Sequence, residues 1–200
     1  MSAREEILGR VRAALSGVES AGSVPAAPRV ADLPAGELVD LFCERVADYR
    51  AVVERCTPAS VAERVAAAVA GRTVVVPPEL GIEIAGAVVD TGLTSYELDA
   101  IEAVVTAARV GIAETGTIVL DHAADQGRRA ISLIPDLHVC VVRADQVVRD
   151  VPDAVGLLDP LRPQTWISGP SATSDIELDR VEGVHGPRTL HVIVVDAREL

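Results

Sequence analysis

Two almost unbroken apolar runs, Leu137-His138-Val139-Cys140-Val141-Val142 and Leu190-His191-Val192-Ile193-Val194-Val195, decide the fold class. Strands buried on both faces have this composition, and they occur in parallel or mixed sheets with helices on both sides. A third compact run, Thr73-Val74-Val75-Val76, stops at two prolines, as a strand commonly does. Because such runs alternate with helical segments, the sequence predicts a three-layer α/β domain.

The remaining elements follow from shorter patterns. Further strands are predicted at residues 51–56, 103–106, 111–113, 117–120 and 165–167. One helix should begin with Thr57 as its cap and Pro58 at its first position and end at Gly71, and another should open at Arg128-Arg129. The α/β domain is therefore expected to occupy residues 51–200.

The N-terminal part of the chain has a different character. Residues 2–15 have helical apolar spacing with Ser2 as a plausible N-cap, and residues 35–49 form a second amphipathic pattern. Between them, residues 16–34 are rich in Gly, Ser, Ala and Pro, which is typical of a linker. Residues 1–50 are therefore predicted to be a helical extension and linker that packs on the core or on another subunit.

Composition excludes several classes of partner. The net charge of −12 and the presence of only one Phe, two Tyr and one Trp disfavour nucleic acid and anionic membrane surfaces. The three cysteines are far apart and match no disulfide, zinc or iron–sulfur pattern, so no metal or cofactor is expected in this chain. With neither a signal peptide nor an apolar span in the sequence, a cytoplasmic protein is predicted.

Standard catalytic motifs are missing from the sequence. It contains no GxGxxG, Walker loop, HExxH or GxSxG elbow, which disfavours nicotinamide enzymes, P-loop NTPases, zincins and α/β-hydrolases.

Polar, Gly-containing turns next to predicted strands are the candidates for chemistry. The first is Ala113-Glu114-Thr115-Gly116-Thr117, where Gly116 permits a positive φ or the close approach of a ligand. Its two threonines add hydroxyls beside the Glu114 carboxylate. An ordinary inter-strand turn with polar residues in water explains the same pattern.

The second turn is Ser168-Gly169-Pro170-Ser171-Ala172-Thr173-Ser174-Asp175-Ile176-Glu177. A strand, a Gly-rich turn and a helix start together favour anion binding, with the hydroxyls of Ser168, Ser171 and Thr173 as donors. A capping box formed by Ser174 and Glu177 is the structural alternative.

The third turn is Val184-His185-Gly186-Pro187-Arg188. His185 could titrate near neutral pH, and Arg188 could bind a carboxylate or phosphate with two parallel hydrogen bonds. A surface turn with incidental charges is equally compatible.

Arg129 and its neighbour Arg128 form the best basic pair, although a solvated face explains them as well. His138 and His191 are expected to be core histidines.

Together these segments resemble the lactate-utilisation (LUD) family, specifically its YkgG-like branch. The resemblance covers about residues 56–195 and rests on three motifs in order. The first motif runs from Ala113 to Leu120. The second consists of Arg129 to Ser132 together with Pro135 and His138. The third runs from Ile167 to Glu177 and continues through Gly183 to Val192.

The resemblance implies a Rossmann-like fold of the NagB/RpiA/CoA-transferase type. It also implies a place in the oxidation of L-lactate to pyruvate, beside two partner proteins that carry iron–sulfur clusters. An assembly or regulatory role for those partners is a further possibility. The alternative is a stand-alone enzyme of the same fold group that binds an anionic substrate, with Glu114 as acid, base or nucleophile. In either case the predicted ligand-binding residues are Thr115, Gly116, Thr117, Arg129, Ser168, Gly169, Ser171, Thr173, Asp175, His185 and Arg188.

Overall fold

A computed structural model of the chain describes residues 2–18, 33–170, 172–173, 181–182 and 186–196, with only the backbone described for 172–173 and 181–182. The chain divides into two units between Asp32 and Leu33. In the first unit, helix α1 spans Ala3–Ala14, and Ser2 caps it as predicted. The Ser2 backbone N–H donates to the Glu5 carboxylate (2.7 Å), and the Glu5 backbone N–H donates to the Ser2 hydroxyl (3.3 Å).

Besides one turn of 3-10 helix at Ala144–Gln146, the second unit contains every other described helix and strand. In chain order these are α2 (Ala35–Asp48), β1 (Val52–Cys56), α3 (Val61–Ala68), β2 (Val74–Val76), β3 (Val88–Val89), α4 (Ser95–Asp99), β4 (Ala103–Ala107), β5 (Val110–Ile112), β6 (Thr117–Leu120), β7 (Leu137–Arg143), β8 (Val147–Val148), α5 (Val151–Leu157), β9 (Thr165–Ile167), β10 (Ala172–Thr173), β11 (Val181–Glu182) and β12 (Thr189–Val195).

Two larger sheets organise this unit. The main sheet has six parallel strands in the order β1-β12-β7-β4-β2-β3. Its central pair, β7 and β12, runs in register from Thr189 opposite Leu137 to Val195 opposite Arg143. The second sheet has the order β8-β5-β6-β9, and β6 is antiparallel to both of its neighbours. The short pair β10-β11 is antiparallel.

Both faces of the main sheet are covered. On one face, Cys140, Val142 and Val192 pack with α2 and with the inner side of the second sheet. On the other face, Val139 and Ile193 pack with α3. The outer side of the second sheet packs against α5. The α/β class and the N-terminal helices are therefore confirmed, whereas the NagB/RpiA/CoA-transferase type stays a prediction.

Some local predictions need correction. The helix expected from Thr57 to Gly71 spans only Val61–Ala68, because Thr57 and Ser60 form a turn of their own: the Ser60 backbone N–H donates to the Thr57 carbonyl oxygen (3.0 Å). The segment after Arg128 consists of turns rather than a helix. It is confined between Gly127, which has a positive φ of 70°, and Pro135. The helix start expected at Ser174 lies outside the described residues.

Helix α2 packs tightly against two of the turns singled out in the sequence. Its Phe42 and Val46 side chains are completely buried. Gly116 has a φ of +58°, and a Cβ placed there would lie 2.6 Å from the Arg45 carbonyl carbon. Gly169 has a φ of +81°, and a Cβ there would collide with Tyr49 at the end of α2. The close approach that the sequence anticipated at Gly116 is thus the approach of a helix backbone.

An ion pair between a buried carboxylate and an arginine that is 41% exposed joins the end of β3 to the segment after β6. The Asp90 side chain is 5% exposed and accepts hydrogen bonds from Arg128 Nε (2.6 Å) and Nη2 (2.9 Å). It also accepts from the backbone N–H groups of Gly92 (3.1 Å) and Leu93 (3.0 Å). The hydrogen bonds from Arg128, with those from the backbone, hold the pKa of Asp90 below its ordinary value of 3.8. Arg128 therefore has a structural partner.

The contact between α2 and Gly116 generates the first prediction. Gly116→Ala should lower the free energy of unfolding by about 1–3 kcal/mol more than Gly71→Ala, because a methyl group must displace the α2 backbone. Gly71 is a matched control: its φ is +75°, but a Cβ there meets nothing within 4 Å. Urea unfolding of both variants measures the difference. Equal losses would show that backbone conformation alone, not packing on α2, requires glycine at position 116.

The Asp90–Arg128 pair generates a prediction about pH. Since the pKa of Asp90 is lowered in the folded state, the carboxylate contributes stability that is fully present above the ordinary pKa of 3.8 and is lost as the pH falls through the lower folded value. Asp90→Asn should therefore destabilise the protein by about 1.5–3 kcal/mol at pH 7. The difference in stability between the unchanged protein and the variant should decrease as the pH falls below 3.8. Thermal unfolding measured from pH 7 to below that value checks this. A gap independent of pH would contradict the pairing.

Candidate functional site

Two of the three candidate turns meet at one cleft. Its volume is about 270 Å³, and it lies beside the amino ends of β7 and β12 and along β9. We call it the motif cleft. Its lining residues are Ser132, Leu133, His138, Thr165, Trp166, Ile167, Ser168, Gly169, Pro170, Gly186, Pro187 and Leu190. The second and third turns therefore converge, together with part of the stretch between Arg129 and His138.

The first motif reaches the motif cleft through a chain of hydroxyl groups. Thr115 Oγ1 lies 2.8 Å from Thr117 Oγ1, which in turn lies 2.8 Å from Ser168 Oγ. The antiparallel pairing of β6 with β9, in which Ile118 lies opposite Ile167, brings Thr117 and Ser168 side by side. Of these three hydroxyls, the one on Ser168 belongs to the lining of the cleft.

Glu114 lies at the turn between β5 and β6 and does not line the motif cleft. Its side chain is exposed, and its backbone N–H donates to the Arg149 carbonyl oxygen (3.0 Å). Within the described parts of the chain, its carboxylate has no hydrogen-bond partner. A general acid or base must lie within reach of the reacting group, and the described geometry does not place Glu114 in that position.

The two candidate arginines lie near the motif cleft but outside its lining. Arg188 follows Gly186 and Pro187, and its Nε donates to Asp136 Oδ1 over 2.6 Å, with both side chains more than half exposed. Arg129 is exposed, and its carbonyl oxygen accepts from the Ser132 hydroxyl (3.1 Å). Arg129 thus positions a cleft residue through its backbone.

Three of the predicted site residues, Ser171, Asp175 and His185, lie outside the described residues. Thr173 is described by its backbone alone, as part of β10. Their proposed contacts with a ligand stay predictions.

His138 is a cleft residue that the sequence predicted to lie in the core and did not place among the ligand-binding residues. As predicted it is a core histidine, 1% exposed, with Nε2 at 2.8 Å from Thr106 Oγ1. It nevertheless lines the motif cleft. Burial lowers the pKa of His138 to about 4, so the imidazole is neutral at pH 7. The sequence contained one signal for this role, since His138 and Thr106 are polar residues in strands that are otherwise almost entirely apolar.

Thr165 is a second cleft residue that the sequence did not single out. Its hydroxyl is hydrogen-bonded to the ring of His122, a residue with a positive φ of 56°. A carbonyl oxygen can only accept, so His122 Nδ1 donates to the Gly127 carbonyl (2.8 Å). In the neutral ring, Nε2 then accepts from the Thr165 hydroxyl (2.9 Å).

The described lining of the motif cleft contains no Arg, Asp or Glu side chain. A ligand there would be held by hydroxyl, imidazole and backbone groups and by apolar contacts with residues such as Leu133 and Leu190. In the same described ranges, no three His, Cys, Asp or Glu side chains are grouped as a metal ion would require. None of the described helices has the length and hydropathy needed to cross a bilayer.

Three comparisons with known proteins point to the same family. The family model of the LUD domain matches residues 90–195. A Deinococcus radiodurans protein named Lactate utilization protein C is 45% identical over 96% of this chain and 95% of that protein. The crystal structure of a DUF162 family protein from Deinococcus radiodurans superposes with a TM-score of 0.71 and 42% identity, covering 82% of this chain and 99% of that one.

More distant relatives match a shorter segment. Lactate utilization protein C of Bacillus subtilis is 32% identical over 101 residues, which is 46% of this chain and 42% of the relative. An uncharacterized Escherichia coli protein, YkgG, is 35% identical over 44% of this chain and 42% of its own length. These alignments span less than half of either relative. The domain match and the relative that aligns over nearly its whole length confirm the resemblance drawn from the motifs: the chain belongs to the LUD domain family.

Proposed function

We propose that this chain takes part in lactate utilisation, as a cluster-free partner of iron–sulfur proteins that oxidise L-lactate to pyruvate. The observation that carries the proposal is the 45% identity to a protein named Lactate utilization protein C, extending over 95% of that protein. Similarity of this extent covers all the motif turns, not the fold alone.

The cysteines support the assignment of the clusters to partner proteins. A cluster bound by four cysteine thiolates needs more cysteines than the three in this chain. Cys56 and Cys140 are buried, and Cys43 is partly buried. Burial raises the pKa of the Cys140 thiol to about 12, which disfavours the thiolate that binds metal.

The motif cleft supports a role in binding a small ligand. It is formed by Ser168 and Gly169 of the second turn and Gly186 of the third, and the first turn supports Ser168 through Thr117. The predicted anionic ligand would meet hydroxyl and backbone N–H groups there. The position of Glu114 outside the cleft favours this binding role over the stand-alone enzyme.

Deletion of the gene in its own host tests the proposal. Growth on L-lactate as sole carbon source should be lost, growth on glucose should be unchanged, and a plasmid copy should restore growth on lactate. The physical reason is that the oxidising complex lacks one of its subunits. Normal growth of the deletion strain on L-lactate would rule out the proposed function.

Affinity purification of the tagged chain from lactate-grown cells tests the partners. Iron-containing proteins with iron–sulfur absorbance should co-purify with the chain, and they should be absent from a mock purification of untagged cells. Recovery of the chain alone would contradict a subunit role. Measuring the cluster content of the same partners in the deletion strain distinguishes a subunit from an assembly factor. The partners lack their clusters only if the deleted protein is an assembly factor.

A further inference from the structure

His138 has one ring nitrogen that is not paired within the described residues. Its Nε2 is paired with the fully buried Thr106 hydroxyl. Its Nδ1 has no hydrogen-bond partner among the described residues. Because His138 is one of the residues that line the motif cleft, Nδ1 is the ring atom left for a hydrogen bond with a ligand there.

The pairing with Thr106 fixes the orientation of the ring. Val104 of β4 lies opposite His138 in the parallel ladder, and Thr106 lies opposite Cys140, so the Thr106 hydroxyl sits between the histidine and the cysteine. Thr106 Oγ1 is 2.8 Å from the ring and 3.7 Å from Cys140 Sγ. An imidazole held in this way keeps its second nitrogen in one fixed orientation.

Ser168 is a second polar group available to a ligand. In the hydroxyl chain from Thr115 through Thr117 to Ser168, each hydroxyl can donate to the next. When the chain runs in that direction, the proton of Ser168 remains for a ligand in the cleft. By contrast, the Ser132 hydroxyl donates to the Arg129 carbonyl oxygen, which leaves it as an acceptor.

The apolar part of the lining suits a ligand with one apolar end. Leu133, Ile167 and Leu190 line the same 270 Å³ space as the polar groups. This space has room for a short-chain acid with an additional oxygen, which would make hydrogen bonds at one end and apolar contacts at the other.

We propose that the motif cleft binds a short 2-hydroxy or 2-oxo acid, with the 2-oxygen hydrogen-bonded to Nδ1 of His138 and the carboxylate near the hydroxyl of Ser168. Nδ1 accepts from a 2-hydroxyl when Nε2 carries the ring proton, and it donates to a 2-oxo oxygen when Nδ1 carries that proton. The identity of the acid rests on the proposed function, for which L-lactate and pyruvate are the substrate and product. His138 is then a specificity-determining residue, since it distinguishes acids with a 2-oxygen from those without one.

Isothermal titration calorimetry with L-lactate, pyruvate and propionate tests this proposal. Propionate has the same carbon chain but no 2-oxygen. At least one of L-lactate and pyruvate should bind about tenfold or more tightly than propionate, which corresponds to one hydrogen bond between neutral groups. Equal affinities for all three acids, or no binding of L-lactate and pyruvate, would overturn the proposal.

Variants of His138 locate the contact on the ring. His138→Gln places an amide near the position of Nε2 and retains the partner of Thr106, but it removes Nδ1. It should weaken binding of the preferred acid about tenfold or more. His138→Asn places its amide near the position of Nδ1 and should bind more tightly than His138→Gln. His191→Gln is the matched control, a buried histidine on the opposite face of the same sheet, and should bind like the unchanged protein.

Circular dichroism and thermal unfolding of each variant show whether it has folded. A folded His138→Gln variant that binds as tightly as the unchanged protein would overturn the role of Nδ1. The growth experiment keeps the two proposals separate. If deletion abolishes growth on L-lactate while the purified chain binds neither acid, the proposed function stands and the ligand site is wrong.

Discussion

The packing of α2 against two glycines is the constraint on which the rest of the site depends. Gly116 and Gly169 belong to different motifs, yet each lets the same helix approach the backbone more closely than a side chain would allow. The helix is itself fixed by Phe42 and Val46, which are completely buried between the two sheets. Consequently the turn between β5 and β6 and the end of β9 are held at defined positions, and the cleft has a fixed wall.

The position of this cleft in the fold is unusual for an open α/β sheet. Ligands commonly bind beyond the carboxyl ends of the parallel strands. Here His138 and Leu190 are second residues of β7 and β12, so the motif cleft lies at the amino ends. The second sheet contributes to this site, because Ser168 at the end of β9 lines the same cleft as His138 at the start of β7. A groove at the carboxyl ends of β2 and β3 is lined mainly by apolar residues and contains none of the three motifs.

The sequence predicted the parts of the fold that local physics determines. The strands β7 and β12 are recognisable because burial on both faces requires continuous apolar runs, and α1 is recognisable because Ser2 and Glu5 satisfy its first N–H groups. The separate second sheet was not predicted, since short strands such as β5 and β6 have the same composition whichever sheet they join. The helix expected after Thr57 starts later because a local turn competes for the same residues.

For the candidate site, the sequence identified the turns but not their roles. Ser168 and Gly169 are in the cleft as the motif suggested, whereas Gly116 contacts a helix. That distinction depends on a partner far away in the chain, and no local pattern encodes it. His138 was missed as a site residue for a similar reason. A histidine in an apolar strand has the same sequence signature whether both ring nitrogens are paired or one faces a cleft.

The motif turns, held by α2, form the proposed binding site for a short acid at the amino ends of β7 and β12. A crystal structure of the protein with bound pyruvate tests this site. We expect the acid in the motif cleft, with its 2-oxo oxygen accepting a hydrogen bond from His138 Nδ1 and its carboxylate near Ser168. Pyruvate bound at another position, such as the groove beside β2 and β3, would show that the proposed site is wrong.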